Sequence, residues 1–202
     1  MPSYKINFEV SVISSIISFV GLAFAACPDP TVNGFATGTT GGGGAAAVTV
    51  TTAADLIANA KASGSKVIVV KGTITANAAI TATSNKTIRG IDENATIIGG
   101  FDIRDQANII IKNLNIHVVG SVDGIASGTS TKIWYDHLNI WDASDGLLDT
   151  TLGSGYQTVS WCKFWYSSSS LDHRLASLLS SWGGSSNGPE DEGKLHVTYH
   201  HN

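Results

Sequence analysis

The chain has 202 residues, of which 43% are hydrophobic and 14% are charged, and its formal net charge is −4. The hydrophobic content is enough for a substantial core. The negative charge and the scarcity of clustered Lys and Arg argue against nucleic acid as a partner, because neutralising phosphates requires such a cluster.

Residues 1–26 are predicted to be a signal peptide. Lys5 supplies a positive charge, Val10 to Phe24 is mostly apolar, and Ala23-Phe24-Ala25 has the small residues that signal peptidase recognises. The apolar run is shorter than the ~20 residues that span a bilayer. We therefore expect a secreted protein, with no membrane contact after cleavage, and a single domain over residues 27–202.

The two cysteines fit an oxidising compartment without defining a disulfide framework. Cys27 and Cys162 could pair with each other or remain free. Asn85 and Asn94 each begin an N-glycosylation triplet, which is meaningful only in a eukaryotic secretory pathway. Pairing and glycosylation both stay open at this point.

A single helix is predicted near the start of the domain. It follows a glycine-rich segment, Gly34–Ala47, that we expect to be a loop. In the stretch from Thr52 to Lys61, Thr52 can cap the first turn and Asp55 occupies the third helical position, which is a shortened capping box. An amphipathic helix ahead of repeated strands would cover the first coil of a solenoid.

Short apolar runs then recur at a nearly constant interval. The runs that begin at Lys112, Asp136 and Ser160 are 24 residues apart. Such gaps are too short for the crossover helices of a doubly wound sheet, and the period is typical of a parallel β-solenoid. We predict strands at Lys66–Lys71, Lys86–Arg89, Ala107–Ile116, Lys132–Ile140, Gln157–Phe164 and Lys194–His200.

The repeat also predicts how side chains line up between coils. We expect Val159 to stack inside the solenoid with Ile133 and Ile109. We expect a structural ladder along the coils from three asparagines, Asn113, Asn115 and Asn139.

Two pairs of adjacent residues, Asp136-His137 and His200-His201, resemble catalytic or metal-binding motifs, but the evidence for either role is weak. His137 follows Asp136, yet no Gly-x-Ser-x-Gly elbow is present to supply a nucleophile. Hydrogen bonding at a bend of the solenoid is therefore the favoured role for His137. His200 and His201 are adjacent, so on a strand they face opposite sides and are poorly placed to bind one metal ion.

Three carboxylates are predicted to meet on one face. Asp145-Gly146-Leu147-Leu148-Asp149 reads as a strand, in which positions 145, 147 and 149 point to the same side. An offset of 24 places Asp123 on the neighbouring coil beside position 147, between the other two acids. Carboxylates that converge need a cation, and Ca²⁺ accepts oxygen ligands in flexible geometry. The spacing predicts a calcium site at Asp123, Asp145 and Asp149, with ordinary surface acids as the alternative.

Several motifs occur in order along residues 27–202, namely Gly34-Phe35-Ala36-Thr37-Gly38-Thr39-Thr40-Gly41-Gly42, Ser84-Asn85-Lys86-Thr87-Ile88, Ile133-Trp134-Tyr135-Asp136-His137, Asp145-Gly146-Leu147-Leu148-Asp149, Thr158-Val159-Ser160-Trp161, Glu190-Asp191 with Gly193, and Val197-Thr198-Tyr199-His200-His201-Asn202. Together they resemble the secreted pectate lyases of the pectate/pectin lyase superfamily. The resemblance implies a right-handed parallel β-helix that cleaves α-1,4-linked polygalacturonate by β-elimination. It also implies that Asp123, Asp145 and Asp149 bind the calcium ion.

Three departures from the family pattern affect what we expect of this chain. Some members use a further acid two residues before the first ligand, and here that position is Ser121. The family's catalytic arginine is expected beyond Asn202, so we expect the last coils to be missing and lyase turnover by residues 27–202 to be low. Leu175 stands where relatives carry a substrate-binding lysine, and the adjacent Arg174 is the candidate replacement.

The sequence therefore predicts a secreted, monomeric, calcium-dependent pectate lyase whose substrate is polygalacturonate. Two alternatives stay open. A pectin lyase would act on methylated substrate without metal, and retention of the three acids disfavours it. A non-catalytic β-helix would bind polyuronate or the cell wall without cleaving it.

Overall fold

The structure is a computed structural model that describes residues 31–119, 123–168, 173–180 and 191–202. The predicted signal peptide, Cys27 and Ser121 lie outside these residues. Within the described ranges, no helix is both long and apolar enough to cross a membrane. These residues contain a short 3-10 helix at Gly34–Ala36 and one α-helix, α1 (Ala53–Lys61). The strands are β1 (Ala47–Val50), β2 (Lys66–Val70), β3 (Thr73–Thr81), β4 (Lys86–Gly90), β5 (Thr96–Asp102), β6 (Ala107–His117), β7 (Ile125–Gly128), β8 (Thr131–Trp141), β9 (Gly146–Thr151), β10 (Gly155–Ser160), β11 (Lys163–Trp165), β12 (Leu175–Leu179) and β13 (Val197–His200).

The strands wind into a parallel β-helix, as predicted, and each full coil contributes to three sheets. The first sheet contains β1, β2, β4, the start of β6, the start of β8, β10 and β13, all in parallel register. The second sheet contains the starts of β3 and β5, the ends of β6 and β8, and β11. The third sheet contains the ends of β3 and β5, together with β7, β9 and β12.

The predicted strand positions are largely confirmed, with one division. The run Gln157–Phe164 forms two strands, β10 and β11, because Trp161 between them has a φ of +54° and turns the chain from the first sheet to the second. The same turn is made one and two coils earlier by His137 (φ +49°) and Asn113 (φ +52°). Left-handed backbone at these positions recurs once per coil, so the corner is a column that continues from coil to coil.

Side chains of the first sheet stack inside the helix in columns, but one predicted column was wrong. Val159 pairs with Tyr135 rather than with Ile133, and the column continues through Ile111 and Ile88. All four side chains are fully buried. The reason is the 24-residue offset itself, which places position 159 beside position 135. Ile133 is also fully buried but lies in the column of Gln157.

Helix α1 begins as its sequence predicts. The Thr52 hydroxyl accepts a hydrogen bond from the Asp55 amide (3.1 Å), which is worth about 1 kcal/mol in comparable caps. Leu56 and Ala60 lie on the face that packs into the core, and both are fully buried. The helix thus contributes its apolar face to the core beside β2 and β3, consistent with the expected cap.

The glycine-rich loop binds across the outside of the first sheet, and we call residues 33–44 the N-terminal strap. Side chains from different coils accept hydrogen bonds from its backbone amides. The Ala36 amide donates to the Thr158 hydroxyl (3.0 Å), and the Gly42 amide donates to the Thr87 hydroxyl (3.0 Å). A Cβ at Gly42 would collide with the Lys66 carbonyl, so the close approach requires glycine.

The predicted asparagine ladder is confirmed for Asn115 and Asn139, whereas Asn113 is not part of it, because Asn113 lies at the corner beside His137. Asn139 donates from its side-chain amide to Asn115 (3.0 Å) and accepts from the Trp165 indole (2.8 Å), which makes a ladder over three coils. The buried Asp136 carboxylate accepts from the Ser160 hydroxyl (2.6 Å) and lies 2.8 Å from His137 Nδ1. Ser160 and His137 thus bind the same carboxylate, which is not the geometry of a nucleophilic triad.

Candidate functional site

Asp149 lies in β9 on the third sheet and is the most enclosed of the three predicted ligands. Its side chain and backbone together are 8% exposed. Oδ1 accepts a hydrogen bond from the Leu178 amide on the next coil (3.0 Å). The carboxylate lies over Gly146, where a Cβ would collide with it. The absence of a side chain at Gly146 therefore makes the room that the Asp149 carboxylate occupies.

Asp123 lies one coil before Asp149, but its register differs from the predicted one. Ile125 pairs with Leu148, an offset of 23, which places Asp123 beside Gly146 rather than beside Leu147. The Gly146 amide donates to Asp123 Oδ1 (3.2 Å). The predicted offset of 24 holds between β6 and β8. The connection from β8 to β9 is one residue shorter than the connection from β6 to β7, so the offset between β7 and β9 is 23. Asp123 and Asp149 consequently both border Gly146.

Asp145 precedes β9 and is the exposed member of the set. Its side chain is 61% exposed, and Oδ1 lies 3.0 Å from His173 Nε2. Strict alternation from Asp145 through Leu147 to Asp149 is not observed, because Leu147 is fully buried in the main core. The chain bends at residues 144–145 before the strand begins, so side-chain parity does not extend across Asp145.

The three acids influence each other electrostatically. Burial raises the pKa of Asp149 to about 6, and the charges of Asp123 and Asp145 add to this effect. Burial also raises the pKa of Asp123, with a further contribution from Asp145. Both shifts oppose ionisation, so a cation bound among these side chains would stabilise their charged forms.

The donor chemistry suits Ca²⁺, although the acids are not arranged as a closed cage. Carboxylate oxygens on flexible side chains are the ligands that Ca²⁺ prefers, and water or substrate can fill its remaining positions. Among the described residues, no three His, Cys, Asp or Glu side chains are grouped closely enough to hold a metal ion. The set is therefore an open cluster, and the calcium site stays a prediction.

Sequence reasoning missed a cation beside these acids. A cleft of about 190 Å³ is lined in part by Asp123, Asp145 and Arg104. Arg104 Nε donates to Asp102 Oδ1 (2.9 Å), and Arg104 Nη2 donates to Asp102 Oδ2. The signal that could have identified Arg104 is its position after β5, one coil before Asp123. The cleft thus combines carboxylates with a guanidinium.

The candidate substrate-binding residue lies at the same end of the third sheet. Arg174 is exposed and immediately precedes β12, in which Leu175 pairs with Gly146. Arg174 therefore precedes the residue that pairs with Gly146, and it directly follows His173, whose ring contacts Asp145. Its binding role stays a prediction.

Comparison with known proteins identifies the family. A family model for pectate lyases matches residues 9–202. The pectate trisaccharide-lyase of Thermotoga sp. (strain RQ2) is 39% identical over 180 residues, which cover 82% of this chain and 47% of the relative. Pectate lyase A of Emericella nidulans is 38% identical over 217 residues, which cover 92% of this chain and 64% of the relative. The chain thus spans roughly half to two thirds of the length of these relatives.

Solved structures show the same fold. A pectate lyase from Bacillus sp. N165, solved in complex with trigalacturonate, has a TM-score of 0.70 and 26% identity, covering 85% of this chain and 60% of that one. A thermostable pectate lyase has a TM-score of 0.70 and 22% identity, covering 84% of this chain and 64% of that one. These likenesses agree with the parallel β-helix described above.

Proposed function

Because the chain belongs to the pectate lyase family, we propose that it acts as a secreted, calcium-dependent lyase on polygalacturonate, as a monomer. The observation that carries this proposal is the cleft in which Asp123 and Asp145 face Arg104, with Asp149 beside Gly146. A uronate polymer is an anion, and a site for it needs positive charge. The cleft offers a guanidinium and a set of carboxylates that can bind a cation.

Asp123, Asp145 and Asp149 are the residues that would hold the calcium ion. When bound, calcium would neutralise these carboxylates and draw electron density from a uronate carboxylate, which makes the adjacent C5 proton more acidic. Asp149 is fixed by the Leu178 amide and Asp123 by the Gly146 amide, so both carboxylates are positioned before a cation arrives. Asp145 is exposed and free to reorient, and His173 is its present neighbour.

The two arginines near the cleft would orient the polymer. Arg104 lines the cleft beside Asp123, and since Asp102 engages its Nε and Nη2 atoms, Nη1 is the nitrogen that would donate to a uronate carboxylate. Arg174 lies in front of β12 and would bind a neighbouring uronate. We assign these two arginines to substrate binding, and the family resemblance implies that a different arginine removes the C5 proton.

The test is calorimetry with trigalacturonate, performed in calcium and again in excess EDTA. We expect binding in calcium and its loss in EDTA. The matched variant Arg104→Gln should weaken binding in calcium while leaving the affinity for calcium itself nearly unchanged. Formation of an unsaturated product from polygalacturonate, followed by ultraviolet absorbance, tests eliminative cleavage on the same samples. Equal binding in calcium and in EDTA would contradict the calcium-dependent proposal.

A further inference from the structure

A second cavity lies at the corner where the first sheet turns into the second. Its volume is about 370 Å³, and its lining includes Ile91, Glu93, Asn113, Asn115, His137 and Asn139. The three-acid cluster is on the third sheet, so this cavity belongs to a different face of the β-helix. None of its lining residues has a role in the site described above.

The cavity exists because a ladder of rings stops at His137. The corner column runs through Gly90, Asn113, His137, Trp161 and His201 on successive coils. The Trp161 ring stacks on His137 (centroids 5.9 Å apart, planes at 16°) and on His201 (4.2 Å, 11°). On the two coils before His137 the column consists of Asn113 and Gly90, so neither residue can stack a ring on His137.

This arrangement leaves one face of the His137 ring directed at the cavity. Trp161 occupies the face on the side of the following coil. The opposite face lies towards the coil of Asn113, and both residues line the cavity. The His137 ring therefore presents to this cavity a face that Trp161 does not cover.

The polar groups around this ring face are of two kinds. The Asn115 amide is already engaged, since it donates to the Glu93 carbonyl (2.7 Å) and accepts from Asn139 (3.0 Å). The Asn113 side chain makes no hydrogen bond to any other described residue, and it is exposed at the cavity wall. Asp92 and Glu93 add negatively charged oxygens to the lining, and Ile91 adds an apolar side chain that is 47% exposed.

We propose that this cavity binds a neutral sugar residue of a polysaccharide. The C–H face of a pyranose packs on an aromatic ring, which His137 provides. The hydroxyls of the sugar form hydrogen bonds with amides and carboxylates, which Asn113 and Glu93 provide. Asp92 and Glu93 disfavour the binding of a uronate, since they would repel its carboxylate. The site would hold the protein on uncharged glycan chains, and it does not depend on the proposed lyase function.

The experiment titrates neutral galacto-, xylo- and gluco-oligosaccharides into the full chain in excess EDTA, so that binding through calcium is removed. We expect saturable binding of at least one neutral series, detected by calorimetry and by NMR shifts of the Asn113 and Asn139 side-chain amides. His137→Asn and Asn113→Gly both tolerate the left-handed backbone at their positions. Each should weaken binding about fivefold or more, as loss of one contact predicts.

The matched control is His201→Asn, which removes a ring from the far end of the same ladder at a similar φ of +57°. It should leave sugar binding unchanged, and so should Asp149→Asn. Unchanged melting of the His137 and Asn113 variants by circular dichroism separates a binding effect from unfolding. The proposal is overturned if no neutral series binds, if only trigalacturonate or a glucosamine oligomer binds, or if His201→Asn weakens binding as much as His137→Asn.

Discussion

The Asp149 carboxylate and the Leu178 amide join two coils of the β-helix through a hydrogen bond of 3.0 Å. The bond fixes one oxygen of Asp149, and the room above Gly146 determines where the carboxylate lies. The Asp149 carboxylate is thus held by a backbone amide of the next coil, whereas the Asp145 carboxylate contacts the exposed His173 ring. If calcium binds here, Asp149 is the ligand whose position the fold determines most strongly.

The first prediction concerns calcium affinity. Asp149→Asn keeps an oxygen that can accept from Leu178 but removes the charge, so we expect calcium affinity to fall at least about tenfold, or about 1.4 kcal/mol. Calorimetry on the wild type and the variant measures the change. Asp105→Asn is the matched control, because it removes the same charge from an exposed position with a φ of +61°, which Asn tolerates. Equal affinities in wild type and Asp149→Asn would refute the assignment of Asp149 as a ligand.

The second prediction concerns stability without metal. The folded-state pKa of Asp149 is raised from 3.8 to about 6, chiefly by burial. Between these values the folded state binds more protons than the unfolded state, so the free energy of unfolding falls as pH rises through this window. Above about pH 6 the full cost is present, on the order of 2 kcal/mol.

Urea unfolding in EDTA, performed between about pH 4 and 7, measures this cost. The wild type should lose stability relative to Asp149→Asn across the window, and the two proteins should be nearly equal at its acidic end. Saturating calcium should remove most of the difference. A wild type that gains stability relative to the variant as pH rises would mean that Asp149 is not destabilised by burial.

The third prediction changes the site without changing its charge. Gly146→Ala places a Cβ where the Asp149 carboxylate lies, and the carboxylate must move or rotate. We expect calcium affinity to fall with no change in net charge, and we expect some loss of stability from the disturbed bond to Leu178. Gly44→Ala is a suitable control, because nothing lies near the position of its added Cβ. Unaltered calcium affinity in Gly146→Ala would show that the ion does not depend on Asp149 at this position.

The regular parts of the fold could be predicted from the sequence because one interval governs them. In the first sheet the offset of 24 is maintained from Ile109 through Ile133 to Gln157, so the strands could be located by their repeat. The strands of the third sheet are less regular. β7 and β9 pair at an offset of 23, and β12 follows β9 at an offset of 29, so no single period relates them.

The candidate site lies on this less regular sheet, which explains what sequence reasoning could not predict. Strand parity located Asp145 and Asp149 on one side, but the bend before Gly146 lies outside any strand and Leu147 turns into the core. Arg104 carries no motif of its own, and only the third sheet brings it beside Asp123. His173 likewise reaches Asp145 from a connection whose length follows no repeat.

The last prediction concerns the N-terminal strap. Thr158 is fully buried under it, and its hydroxyl accepts from the Ala36 amide (3.0 Å) and donates to the Asn33 carbonyl (2.7 Å). Thr158→Val keeps the shape of the side chain but leaves the buried Ala36 amide without its partner, which costs about 1–3 kcal/mol. We expect faster amide hydrogen exchange at residues 33–37, with little change in the core column of Val159. Thr198→Val, which removes the bond from the exposed Phe35 amide, is the control and should have the smaller effect. Equal exchange rates in wild type and Thr158→Val would mean that the strap is held by its apolar contacts around Trp134 rather than by this hydroxyl.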